Sequence, residues 1–310
     1  MRITSSMIMN TFLSNLNNNL NSLDRLQAQS SSNRRIVKIS DDPVGLLTTL
    51  QVRDRINDIE QYSRNIDEAN LWLRQAENSM MEINSIITSC YEDVLRASTS
   101  TMSPTDRQAV AAKIAQMRDQ LVNVSNSRMN NKYVFGGFNT VNEPFEVSGG
   151  VLYYNGIDMV NGDAAALEAQ KDQKMEFEIA AGGLKMNVAF TGVELLGTGE
   201  GNLYGILDRL YNALEADAPG NELAAYADVL LEKQSEMLGM ISDAGARCVR
   251  LDMLRTRYED DTLNYTKIQS QIEDVDQAEV YMNYKMAEAV YQASLSAGAR
   301  IIQPTLLDFL

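Results

Sequence analysis

The sequence predicts an α+β protein: an elongated antiparallel α-helical bundle or coiled coil formed by both termini, with a β-rich domain inserted in the middle. Three observations carry this reading. Apolar heptad seams run through long stretches early and late in the chain. Thirteen of the 18 glycines fall between Gly136 and Gly205, and helix interiors exclude glycine. The five prolines, Pro43, Pro104, Pro144, Pro219 and Pro304, all stand where helices would start or stop. The expected segments are a terminal helix over 1–42 that pairs with 271–310, a helical bundle made of 43–132 and 202–270, and a β-rich domain over 133–201.

The first helix carries Met9, Leu13, Leu16, Leu20 and Leu23, alternating steps of four and three. Its other faces are rich in Asn and Ser, poor helix formers, so it is expected to need a partner. Residues Ser32–Gly45 break the pattern. Asn33 tolerates a left-handed backbone, Ser40 or Asp41 can cap, and Pro43 suits a first helical turn. The next helix has the clearest seam. One heptad position runs Val52, Ile59, Ile66, Leu73, Met80, Ile87 and Val94, and the other Tyr62, Ala69, Ala76, Ile83, Cys90 and Ala97.

Ser103-Pro104-Thr105-Asp106 is a helix start, with a hydroxyl cap, proline at the first position and an acid near the positive end of the dipole. Val110, Ile114, Met117, Leu121 and Val124 continue that helix, expected to end near Asn130-Asn131. From Tyr133 to about Gly201 the pattern turns to period two, as in Val151–Tyr154 and Met175–Ile179. Turns are expected at Ser148-Gly149-Gly150 and Asn155-Gly156. Helix returns over Leu203–Ala216 and stops at Asp217–Gly220. Asn221 is expected to cap one last helix reaching about Ile301. Its seam reads Leu230, Met237, Ala244, Leu251, Tyr258, Tyr265 and Ile272, then Glu279, Met286 and Ala293. The companion position supplies Met240, Leu254, Ile268, Val275, Met282 and Ala289. One long seam early and one late imply antiparallel packing, with the chain ends together and the insertion at the other end.

Composition then excludes most chemistry. The net charge of −15 disfavours nucleic acid as a partner. Histidine is absent, which removes the commonest general base and metal ligand. Cys90 and Cys248 are too few for a thiolate metal site. They are expected to be unbonded, about 28 residues apart in level, or ~40 Å at 1.5 Å per residue. No stretch approaches eighteen apolar residues, so no membrane insertion is expected. Residues 1–19 lack the apolar run of a Sec signal. Asp41-Asp42 could pair on a metal but reads better as a helix cap. Gly136-Gly137 and Gly182-Gly183 are turns outside any phosphate-loop pattern. Cys90 reads as a small core hydrophobe. Glu259-Asp260-Asp261 and the group Glu273, Asp274 and Asp276 read as solvated helix faces. The expectation is therefore no catalytic, cofactor-binding or metal-binding residue, no cofactor and no enzymatic activity. One asymmetry remains. Residues 1–40 carry Arg2, Arg25, Arg34, Arg35 and Lys38 against Asp24 alone, a net charge of +4 that leaves −19 for the rest. The basic start and the acidic late helix should attract.

A set of motifs at both ends carries a resemblance. They are Met1-Arg2-Ile3-Thr4 with Met7; Ser40 through Gly45; Gln61-Tyr62 with Asn65-Ile66-Asp67; and Asp106 through Ala112. Then come Asn131 through Gly137 running on to Pro144-Phe145; Gly245-Ala246-Arg247; Ile272 through Glu279; and Gly298 through Pro304 with Leu307 through Leu310. In this order the chain resembles the flagellin superfamily, most closely its junction branch, while about 145–200 matches little. Ser32-Asn33-Arg34 stands where the family often has Ser-Gly-Lys, and Asn should keep the left-handed turn. The resemblance implies a non-enzymatic axial protein of the bacterial flagellum, exported through the type III export apparatus with an export chaperone. It implies a tubular homo-oligomer outside the cell, joined to hook-associated protein 1 on the hook side and flagellin on the filament side. A filament subunit is the alternative, and a coiled-coil adhesin a distant one. Residues of about 1–40 and 271–310 are then assembly helices, loose in the free monomer. Leu306, Leu307, Phe309 and Leu310 are expected to touch neighbouring subunits.

Overall fold

The computed structural model describes residues 5–99 and 102–301. It divides into two compact units, one of residues 1–58 with 260–310 and one of residues 59–259. Its helices are α1 (Ser5–Ser32), α2 (Pro43–Ala97), α3 (Pro104–Ser125), α4 (Ala164–Lys171), α5 (Gly192–Leu196), α6 (Leu203–Glu215), α7 (Gly220–Glu273) and α8 (Gln277–Ile301). The protein is mostly helical, with small sheets confined to the middle of the chain.

In the unit of residues 59–259, α2 buries both expected seam positions. Ile66, Leu73, Met80, Ile83 and Cys90 are fully enclosed, and the sole tryptophan, Trp72, joins them. Leu230, Met237, Ala244, Leu251 and Tyr258 of α7 meet this seam. The companion line on α7 is not Met240 and Leu254, which are only half-buried, but the buried Ala227 and Cys248. Polar ties fix the antiparallel register: Asp67 with Arg255 at 3.5 Å, Asn70 with Asp252 at 2.6 Å, and Thr88 with Gln234 at 2.9 Å. This register places Cys90 level with residue 232, sixteen residues from Cys248, or ~24 Å along the helix. The separation expected from sequence was larger, yet both thiols are free and buried. Cys90 Sγ lies 3.4 Å from Met117 Sδ, and burial, reinforced by Asp93, pushes its thiol up to about 12.

Helix α3 starts as expected. Ser103 Oγ accepts from the Asp106 amide at 3.2 Å, and Pro104 opens the helix. It packs its Ile114 and Leu121 against Leu207, Leu210 and Leu214 of α6. Arg118 pairs with Asp208 and stacks over Tyr204, and Arg107 pairs with Asp217 at 2.8 Å. The helix stops at Ser125, before the expected end. Asn130 and Asn131 are instead the left-handed turn, φ 48° and 65°, of a hairpin joining β1 (Arg128–Met129) and β2 (Lys132–Tyr133).

The middle segment holds two further antiparallel sheets. One is β3 (Phe145–Ser148), β4 (Val151–Tyr154) and β5 (Ile157–Asp158), turning at Gly149-Gly150 and Asn155-Gly156 as the pattern predicts. The other is β6 (Glu176–Ala180) with β7 (Leu184–Asn187), bulged near Glu178 and turning at Gly182-Gly183. The segment also contains α4 and α5, which period-two reading missed. Their caps were visible: Asp163 accepts from the Ala165 amide, and Thr191 with Glu194 forms a capping box. Gly192 is required because a Cβ there would lie 2.3 Å from the Tyr154 ring.

In the unit of residues 1–58 and 260–310, α1 lies antiparallel to α8. Asn19 donates to Ser294 at 3.0 Å, and Phe12 sits over Gly298, where a Cβ would be 2.2 Å from the ring. The last helix is not continuous. It breaks at Asp274–Asp276, because Asp276 Oδ1 accepts from the Ala278 and Glu279 amides and starts α8 anew. The boundary at the other end moves by two residues: α7 begins at Gly220, so Asn221 lies inside it rather than capping it. Leu306, Leu307, Phe309 and Leu310 lie outside the described residues.

Candidate assembly surface

The break between α7 and α8 faces the break between α1 and α2. Asn33 leaves α1 in the left-handed region at φ 56°, as its residue type predicts. Arg34 forms a β-bridge with Asp274, the Arg35 amide donates to the Glu273 carbonyl at 2.6 Å, and the Arg35 guanidinium reaches the Ile272 carbonyl at 3.1 Å. Gln277 closes the ring by donating to Asn33. Asp41 and Asp42 are turn staples here. Asp41 Oδ2 accepts from the Val37 and Lys38 amides, while Asp42 accepts from the Gly45 amide at 2.9 Å and pairs with Arg35.

Glu273 departs from the sequence reading. It is buried rather than solvated, and it pairs with Arg53 while accepting from Gln269 at 2.8 Å. Burial alone would raise its carboxyl. Hydrogen bonds from Arg53 and Gln269, with the charges of Arg53 and Arg34, outweigh that and hold it below the ordinary carboxylate value. Asp274 and Asp276 are exposed, as read, but stand in the break rather than on a helix face. The sequence signal for this was the Asp276–Glu279 spacing, an acid cap followed three residues later by glutamate. Of the basic start, the charge of Arg34 bears on Glu273, whereas the ion pair to Glu273 comes from Arg53, outside residues 1–40.

Beyond the joint, the break slips the α8 seam by one position. Val280, Tyr284, Ala287, Tyr291 and Gly298 face α1, whereas Met282, Met286, Ala289 and Ala293, the expected seam, are exposed. On α1 the covered line is Met9, Phe12, Leu16, Asn19, Leu23 and Leu26. Leu13 and Leu20 remain exposed beside it. A groove of about 260 Å³ runs between the two helices, lined by Asn19, Leu26, Met286 and Val290 among others. Ile39, Val44 and Leu47 add exposed apolar surface at the joint. The apolar pattern of α8 thus has two faces, and the chain covers one.

Chemistry-bearing clusters elsewhere are structurally committed. A cleft of about 580 Å³ in the unit of residues 59–259 has Phe190, Val193 and Met240 beside Lys171, Lys174, Glu236 and Asp243. Its Arg247 stacks on Phe190 at 4.8 Å and bonds to the Asn187 carbonyl and Asp243. Among the described residues no group of three or more Asp, Glu, Cys or His could hold a metal ion, and no helix is long and apolar enough to cross a membrane.

Residues 3–140 match the family described as the bacterial flagellin N-terminal helical region. The chain is 25% identical over 311 residues to flagellar hook-associated protein 3 of Escherichia coli (strain K12), covering 96% of each. The identity to flagellar hook-associated protein 3 of Salmonella typhimurium is also 25%, over 95% of each. The solved flagellar junction protein FlgL of Legionella pneumophila superposes with a TM-score of 0.58 at 15% identity, covering 74% of this chain and all of that one. The chain is similar to the flagellin family of flagellar structural proteins. Within that family its likeness runs nearly end to end with hook-associated protein 3, and it is a structural protein of the hook–filament junction, in the extracellular flagellum.

Proposed function

We propose that the exposed faces of α1 and α8 are covered by neighbouring copies in a tubular ring at the hook–filament junction. The observation that carries this is the second apolar face of α8, where Met282 and Met286 are each 58% exposed. A helix apolar on two sides is stable when both are buried, and the chain supplies cover for one. Repeated head-to-tail contacts between identical subunits build a ring or a helical tube. In this reading residues 1–42 and 271–310 are the assembly region, 43–132 with 202–270 the supporting bundle, and 133–201 an outer β-rich domain. Hook-associated protein 1 on the hook side, flagellin on the filament side and an export chaperone with the export apparatus complete the set of partners.

Met286→Glu tests it. The substituted side chain stays in water in the single chain, so the thermal midpoint should hold while filament retention fails. A deletion strain carrying the variant should shed flagellin into the medium and keep its hooks. Normal motility with retained filaments would contradict the assignment. A strain that assembles short filaments of the variant itself would instead favour a filament-subunit role.

A further inference from the structure

The turn between α1 and α2 carries an apolar patch that the chain leaves open. Val37 and Ile39 on the turn, with Val44, Leu47 and Leu50 at the start of α2, are all exposed, Ile39 by 73% and Val44 by 74%. The turn itself is tightly built. Ile36 is buried in it, and a Cβ on Gly45 would lie 2.9 Å from Ile36 Cδ1 and 2.4 Å from Asp42 Oδ2. Its acids are occupied, Asp41 by the Val37 and Lys38 amides and Asp42 by Arg35. Lys38, between Val37 and Ile39, is exposed and pairs with no carboxylate among the described residues. We propose that this patch receives the segment Leu306-Leu307-Asp308-Phe309-Leu310 of a neighbouring copy, with Lys38 facing Asp308. The proposal rests on the assembly reading and names two surfaces that meet in it.

Charge and pattern are complementary. Val37-Lys38-Ile39 is a cation between two apolar side chains, and Leu307-Asp308-Phe309 is an acid between two apolar side chains. Residues 1–40 carry a net charge of +4 in a chain of −15, so an acidic apolar segment is drawn to this end of the molecule. Four large apolar side chains of the segment match five on the patch, and covering both removes exposed apolar surface from each copy.

Reach assigns the segment to a neighbour. Asn33 and Arg35 tie the turn to Gln277 and Glu273, at the start of α8. From Gln277 to Ile301 that helix runs ~36 Å. Leu307 lies six residues past Ile301, at most ~22 Å away even when fully extended. The chain's own Leu306 and Leu307 therefore fall short of the patch, whereas those of another copy are under no such limit. Patch and segment attach at opposite ends of α8, so each copy offers one of each. Such a contact is head-to-tail and repeats from copy to copy, which is what a tube requires.

Charge exchange in the full-length chain, expressed in a strain lacking its own copy, tests the contact. Lys38→Asp and Asp308→Lys should each lower the number of retained filaments per cell at least about threefold, since each sets like charges face to face. The double variant should restore retention, because the pair is then reversed. The thermal midpoint of Lys38→Asp should hold, as its side chain is exposed. A double variant no better than the worse single variant would overturn the proposal, and it is the result expected if a protein of another sequence covered Lys38. Cysteines supply a second readout. In assembled flagella, chains with Ile39→Cys and chains with Leu307→Cys should form at least about tenfold more disulfide-linked dimer than Val147→Cys with Leu307→Cys, since a disulfide needs Cα atoms within roughly 7 Å. The unmodified chain, whose two cysteines are buried, is the baseline. Equal yields from the two pairs would overturn the contact, as would a bond within one dilute chain that carries both Ile39→Cys and Leu307→Cys. Filament loss in Met286→Glu without rescue by the charge exchange would leave the assembly reading standing and remove this contact. Rescue with filaments retained in Met286→Glu would uphold the contact and remove the α8 assignment.

Discussion

Two helices of the same heptad design end in opposite states. Between residues 59 and 97, α2 encloses Ile66, Leu73, Met80, Ile83 and Cys90 completely. Across residues 7–32, α1 buries none of its side chains, although Met9, Leu16 and Leu23 repeat as regularly. Periodicity is therefore not what separates them. Helix α2 has Trp72, the α7 seam, and the α3 and α6 pair to close its surroundings, while α1 has the single face of α8. A seam specifies which face wants cover; the number of neighbours decides whether it gets it. The difference teaches that the α2 seam finds cover on all sides within its own unit, whereas the α1 seam finds it on one side.

The largest test of that difference is a matched pair of truncations. Leu73→Ala removes a fully enclosed side chain and should cost about 2–5 kcal/mol in urea unfolding. Leu16→Ala on half-covered α1 should cost less than about 1 kcal/mol, so similar losses would break the comparison. Glycine sharpens it next. Gly298→Ala drives a methyl into the Phe12 ring and should cost about 1–3 kcal/mol, read as weaker protection of α8 from exchange. Gly239→Ala, with open space around it, should add up to about 1 kcal/mol in the dilute chain.

The joint gives a smaller, pH-dependent effect. Removing the cation with Arg53→Met leaves Glu273 buried on Gln269 alone and should loosen the joint by about 1–2 kcal/mol. Because the Glu273 carboxyl is held below its ordinary value in the folded chain, its contribution is present above the ordinary carboxylate range. It is lost as pH falls through the depressed value. Acid should therefore release protection around residues 272–277, and Glu273→Gln should flatten that dependence. The smallest effect is chemical: Cys90, with its thiol raised to about 12, should resist alkylation at neutral pH until the unit of residues 59–259 unfolds.

Where the sequence was legible, the signal was local or strongly periodic. The α2 seam, the Ser103-Pro104 helix start, the left-handed Asn33 and the two glycine turns of the middle sheets were readable because each depends on residues within a turn or a heptad. The misreadings share one cause, the continuation of a pattern past an interruption. Following the late seam through Asp274–Asp276 put Met282 and Met286 inside and left Tyr284 and Tyr291 out. The seam at 282–293 was real but belonged to a face the chain does not cover. Glu273 was missed because its partner Arg53 is distant in sequence, and a lone glutamate on a helix carries no local sign of burial. The flagellin motifs at both ends carried the family likeness, and the uncovered second face of α8 became visible only with the folded register.

Hydrogen exchange on the free, full-length chain, followed helix by helix, tests the central claim most directly. The α1 and α8 amides should exchange within orders of magnitude of the unfolded rate, while α2 residues 66–94 are protected to the level of global unfolding. Assembly into junctions should then protect α1 and α8. Protection of α1 equal to that of α2 in the free chain would contradict it, because the terminal pair would then be complete without a neighbour.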